Sequence, residues 1–167
     1  KALNLLMKIL FIHQNFPGQF KNLAPALLSR GHDVLAMSMK KDAPAQWQGV
    51  KIVPFSAERG STRGIHPWLT DFETKLIRGE ACYRAALKLK KDGYHPDLII
   101  AHPGWGESLF LREVWPAAKL GIYCEFFYHP DDTDVGFDPE FAARTEEDPC
   151  RLRIKNLSNF LHFEAAS

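Results

Sequence analysis

The chain has 167 residues, 46% of them hydrophobic and 25% charged, which suits one globular domain with a sizeable core and excludes a disordered or fibrous protein. With 21 basic and 20 acidic residues the formal net charge is +1, so the overall balance carries no footprint for nucleic acid. Cys82, Cys124 and Cys150 are odd in number and form no C-x-x-C pair, which argues against a disulfide framework and a zinc site and fits a reducing cytoplasm. No apolar run reaches the roughly 20 residues of a membrane-spanning helix. The leading KALNLLMKILFI is interrupted by Lys8 and lacks a small-residue cleavage site. Met7 reads as the native start, with residues 1–6 an extension before it.

From Lys8 onward, strand and helix patterns alternate. KILFIHQ is a continuous apolar run of the kind found in strands covered on both faces. Phe20, Leu23, Ala24, Leu27 and Leu28 recur at helical spacing, and SRGH ends that helix at Gly31. DVLAMSM predicts a second strand, parallel to the first by the handedness of β-α-β crossovers. DAPAQWQG reads as a polar loop. VKIVPFS follows as a third strand, edge-like because Pro54 cannot donate to a ladder.

Glu58 to Pro67 reads as loop, and Asp71 to Lys91 as a helix with Cys82, Ala85, Ala86 and Leu89 on one face and Gly93 as its stop. PDLIIAH is a fourth strand, GESLFLREVW a helix halted at Pro116, and LGIYCEFFYH a fifth strand. A last helix runs from Pro149 to Ala166, with Leu157, Phe160 and Leu161 as its apolar residues. The sum is a single-domain α/β fold: a Rossmann-like, doubly wound parallel sheet in three α/β/α layers.

In such sheets ligands bind outside the carboxyl ends of the strands. His13, His102 and His129 fall at the expected carboxyl ends of the first, fourth and fifth strands. Gly18 opens the first helix, where free N–H groups favour an anion or a hydroxyl. The full G-x-G-x-x-G fingerprint is missing, which argues against NAD. In HPGWGE, two glycines bracket Trp105, whose indole suits stacking on a sugar ring, and Glu107 falls in a first helical turn favoured by the helix dipole. The packing alternative makes Trp105 a lid on the core and Glu107 an ordinary first-turn acid.

Asp131, Asp132 and Asp134 invite a metal, but their spacing does not match the calcium loop, and neither a metal nor an organic cofactor is expected. No G-x-S-x-G elbow supports Ser108 as a nucleophile, and Cys124 in mid-strand reads as inert. Lys75, Arg78, Arg84, Lys88, Lys90 and Lys91 gather on the middle helix. That is usually a solvated face, with contact to an anionic membrane as the minor alternative.

MKILFIHQNFPGQF, RGHDV, HPGWGE, and FDPEF followed by RLRIKNLSNFLHFEAA together resemble the amino-terminal domain of family-4 glycosyltransferases of the two-domain GT-B type, over nearly the whole chain from Met7. The resemblance implies the acceptor-side domain, residues 7–167, of a retaining enzyme that transfers a sugar from a nucleotide-sugar to a hydroxyl on a sugar or lipid-linked acceptor. The carboxyl-terminal domain that holds most of the donor is not in this sequence. It also implies that Gly18 and Gln19 lie near the donor phosphates, that His129 touches the donor sugar as the catalytic residue, and that His13, His102, Trp105 and Glu107 bind acceptor. A cytoplasmic location, with a peripheral position at the inner membrane surface as the alternative, goes with that reading. The competing readings are a non-catalytic flavodoxin-like binding module and a metal-assisted hydrolase built on His102, Glu107, His129 and the nearby aspartates.

Overall fold

The computed structural model describes residues 5–130 and 145–167. Its centre is a six-stranded sheet. In chain order the strands are β1 (Lys8–Ile12), β2 (Asp33–Ser38), β3 (Gln46–Trp47), β4 (Val50–Pro54), β5 (Leu98–Ala101) and β6 (Lys119–Ile122). They lie in the order β3-β4-β2-β1-β5-β6, and every pairing is parallel except β3 with β4. The chain builds outward from β1 to β2 and β4, then returns to the other side of β1 for β5 and β6. The strand order therefore reverses between β1 and β5.

Among the described residues five α-helices flank the sheet: α1 (Leu23–Ser29), α2 (Thr70–Lys91), α3 (Leu111–Val114), α4 (Asp148–Lys155) and α5 (Leu157–Ala165). The two-residue period of β1 sends its side chains to opposite faces. Ile9 and Phe11 join Phe16, Phe20 and Ala24 under α1, whereas Leu10 and Ile12 join Cys82 and Ala86 of α2 and Leu111 and Val114 of α3. Each fully buried large apolar side chain contributes about 1.5–3 kcal/mol. The two faces of β1 thus bind both helical layers to one sheet, giving the expected three-layer α/β arrangement.

Three expected elements differ. The third parallel strand is not the edge: Gln46 and Trp47, inside the stretch read as a polar loop, pair antiparallel with Lys51 and Val50 and cover it, with Trp47 set edge-on against Phe16 at 5.9 Å. The fifth parallel strand stops at Ile122 instead of running to His129. The Tyr123 amide adds one more backbone bond, to the Ala101 carbonyl, and farther on the backbone is held by side chains: Asn156 accepts from the Tyr128 amide at 2.9 Å and donates to the Tyr128 carbonyl at 2.6 Å, and Asn159 donates to the Phe126 carbonyl at 3.0 Å.

The last helix is two helices meeting at Asn156, and α5 is amphipathic in the reverse sense. It buries Ser158, Asn159 and His162 and exposes Phe160, Leu161 and Phe163. Replacing Asn156 by Ala should cost about 1–3 kcal/mol by orphaning the Tyr128 amide and carbonyl. A chemical-denaturation midpoint matching that of Asn156→Asp would count against this anchoring role.

Nor do the basic residues of α2 form one solvated stripe. Lys75 is buried, 3.0 Å from Asp71 and 3.1 Å from the Ser158 hydroxyl. Arg84 pairs with Glu80 at 2.6 Å, and Lys90 donates to the Val114 carbonyl at the end of α3. No helix among the described residues is long and apolar enough to cross a membrane.

Candidate functional site

The loops after β1 and β5 flank the point where strand order reverses, the position where open α/β sheets bind ligands. His13 follows β1 and His102 follows β5, both buried, with ring centroids 5.2 Å apart. Their tautomers are fixed by the backbone. The Asn15 amide donates to His13 Nδ1 at 2.9 Å and the Gly104 amide donates to His102 Nδ1 at 3.2 Å, so each neutral ring carries its proton on Nε2.

Those two protons enter one chain of hydrogen bonds. His13 Nε2 donates to Gln19 Oε1 at 2.5 Å, Gln19 Nε2 donates to Glu125 Oε2 at 3.0 Å, and His102 Nε2 donates to the same Glu125 oxygen at 2.9 Å. Burial, followed by the neighbouring His102, holds His13 below the ordinary imidazole range, against the pull of Gln19 and Glu125. Glu125 lies below the ordinary carboxylate range, first because His102 donates to it. The cluster is therefore a carboxylate held by two neutral donors, with a second imidazole behind.

The glycines make room for this geometry. Gly18 has a φ of +45°, and a Cβ there would overlap the His13 ring. His102 caps the 3₁₀ turn Pro103–Trp105, and Gly106, with φ of +92°, ends it. The helix consequently restarts only at Leu111, so Glu107 is not a first-turn acid. Its carboxyl is fully buried, and neither oxygen has a hydrogen-bond partner among the described residues. Burial pushes it up to about 7, opposed by its own backbone amide and by Arg78.

Trp105 is half exposed, with the Arg78 guanidinium 5.2 Å from its ring centroid. Arg78 also donates to Gln14 and so ties the β1 loop to the β5 loop. His129 is exposed, its ring 5.3 Å from that of Phe127, which stacks on Phe163 of α5. Among the expected site residues, the structure unites His13, Gln19 and His102, sets Gly18 against them, and buries Glu107 in the packing near Cys82.

Glu125 was missed by the sequence reading, although a lone acid in CEFFYH, an otherwise apolar run, was its signal. Ser108 does meet a histidine: its hydroxyl lies 2.8 Å from His162 Nε2, while His162 Nδ1 donates to the Ser158 carbonyl. Both side chains are sealed, at 0% and 1% exposure, so the pair pins α5 to the β5 loop and offers no nucleophile to a substrate. Asp131, Asp132 and Asp134 lie outside the described residues. Among those described, no group of three His, Cys, Asp or Glu side chains is placed to hold a metal ion.

A doubly wound sheet whose strand order reverses between β1 and β5 defines a Rossmann-like domain. A model of the glycosyl transferase family 4 group matches residues 30–167, and the chain belongs to that family. The match takes in His102, Trp105, Glu107, Glu125 and His129 and begins after the loop that carries His13, Gly18 and Gln19. The architecture agrees with the GT-B arrangement expected from the sequence. No curated relative matches the chain.

Proposed function

We propose that this glycosyltransferase domain is the acceptor side of a retaining enzyme that takes a sugar from a nucleotide-sugar and places it on a hydroxyl of a sugar or lipid-linked acceptor. The observation that carries the reading is the His13–Gln19–Glu125–His102 chain at the strand-order reversal: neutral imidazole donors and a carboxylate acceptor are the groups that recognise hydroxyls. Trp105 supplies an exposed aromatic face beside it. Gly18 and the 3₁₀ turn it opens would approach the donor phosphates, and His129 would donate to the donor sugar. The donor itself would be held mainly by a second domain, so transfer needs groups from both sides of the cleft.

The test is turnover of UDP-, GDP- and ADP-sugars by the native-length protein, with the anomeric configuration of the product read by NMR. Turnover with retention, reduced about 10²-fold or more in His129→Ala, is the expected result. Inversion would refute the retaining mechanism. Absence of turnover with every donor, from a folded protein, would favour the binding-module reading.

A further inference from the structure

We infer that Glu125 is the residue that binds the acceptor's hydroxyls, selecting a neutral polyhydroxylated ring and excluding a phosphate from the space directly over His13 and His102. The inference rests on the transferase reading for the identity of the site. The ligand chemistry comes from the cluster alone.

Both donors to Glu125 converge on one oxygen, Oε2, from Gln19 and His102. The other oxygen, Oε1, has no hydrogen-bond partner among the described residues, and the side chain is 35% exposed while the two imidazoles beneath it are buried. A carboxylate oxygen with free lone pairs only accepts, so it takes O–H groups and repels phosphate oxygens. Because His102 donates to it, the carboxyl lies below the ordinary carboxylate range. Tyr123, half exposed and stacked on His102 at 6.2 Å, walls the position with an aromatic ring.

The cluster also redistributes roles. Gln19, expected near the donor phosphates, has its amide spent between His13 and Glu125, with a negative carboxylate 3.0 Å from its nitrogen. His102 and Gln19 are positioning residues: they orient the carboxylate so that Oε1 faces outward. The donor phosphates then belong nearer the Gly18 backbone than the Gln19 side chain.

Glu125→Gln tests this sharply, because the amide must turn its oxygen toward the two existing donors and thereby present NH₂ where Oε1 stood. An acceptor becomes a donor with no change of shape. The imidazole resonances of His13 and His102 are followed while the chain is titrated with methyl α-glucoside, methyl α-mannoside, methyl α-galactoside and inorganic phosphate.

The expected result is that at least one glycoside shifts both histidines and phosphate does not compete. Glu125→Gln and Glu125→Ala should each weaken that glycoside at least 10-fold, and only Glu125→Gln should gain phosphate binding. A structural role alone would not reverse the preference. Unchanged glycoside affinity in both variants, phosphate binding to the wild-type cluster, or no response to any glycoside would each overturn the inference. Glycoside binding through Glu125 in a protein that turns over no nucleotide-sugar would retain this inference and refute the transferase reading.

Discussion

Replacing Glu107 by Gln is expected to stabilise the folded chain by about 3 kcal/mol at pH 8 and to leave its stability below pH 4 nearly unchanged. The carboxyl titrates near 4.5 when unfolded and at about 7 when folded, where burial opposes the charge. Between those values the unfolded chain has released a proton that the folded chain keeps, so stability falls as pH rises from about 4.5 to 7. The amide keeps the shape and never ionises.

His162 works in the opposite direction. Burial lowers its imidazole from 6.5 to about 4, so the unfolded chain takes up a proton that the folded chain refuses, and stability falls as pH drops from 6.5 to 4. Across roughly pH 4.5 to 6.5 the two slopes oppose each other and nearly cancel. Glu107→Gln removes one of them and exposes the other: its stability should rise with pH across that window by about 2 kcal/mol. Urea midpoints for both proteins from pH 4 to pH 8 measure the difference, in which the exposed carboxylates Glu73 and Glu80 cancel. Parallel pH profiles would show that Glu107 has a charge partner after all.

A loss of at least about 3 kcal/mol is expected from Gly106→Ala. The position needs a φ of +92°, and a Cβ would overlap the Lys75 carbonyl oxygen and lie 2.6 Å from the Lys75 Cβ. The obstacle is the backbone of α2, which cannot swing aside as a side-chain tip would. Gly79 sits across the same contact, where a Cβ would come 2.8 Å from the Gly106 carbonyl. Gly64→Ala separates the two contributions, since its φ is +79° but its surroundings are open, so it should cost only about 1 kcal/mol. Equal unfolding midpoints for the two variants would mean that α2 and the β5 loop are not in the close contact described. Because that loop also carries His102 and Trp105, the closeness is what sets the cluster on a rigid helix.

The parallel core was legible in the sequence because β1, β2 and β5 are covered on both faces and therefore read as continuous apolar runs, while α2 has both its stop at Gly93 and its small buried residues, Cys82 and Ala86, at helical spacing. The stretch from Tyr123 to Tyr128 looked equally strand-like. After the Tyr123 amide bonds to the Ala101 carbonyl, the backbone partners of Phe126 and Tyr128 are instead Asn159 and Asn156, about 30 residues later in the chain, and no local pattern announces that side chains will replace a ladder. α5 departs from its sequence pattern for a related reason: its apolar residues Phe160 and Leu161 are exposed, and the fold uses its polar stripe to meet Lys75 and Ser108.

Within the site, the histidines were found by their places at strand ends, which depend only on topology. Glu125 escaped because its meaning lies in a contact with Gln19, 106 positions away in sequence. Glu107 was noticed for its place in a glycine-bracketed turn. Its buried state, without a hydrogen-bond partner among the described residues, follows from where Gly106 ends that turn, a tertiary constraint set by α2.

We propose that sugar transfer is centred on the cluster joining the loops after β1 and β5. It is tested most directly by the rate of transfer from a nucleotide-sugar in the native-length protein carrying His102→Phe, which keeps a flat ring and removes the proton donated to Glu125. The expected result is a fall of about 10²-fold or more in kcat/KM with the fold intact. A folded variant that transfers sugar at the unaltered rate would contradict it and place the chemistry elsewhere on the domain.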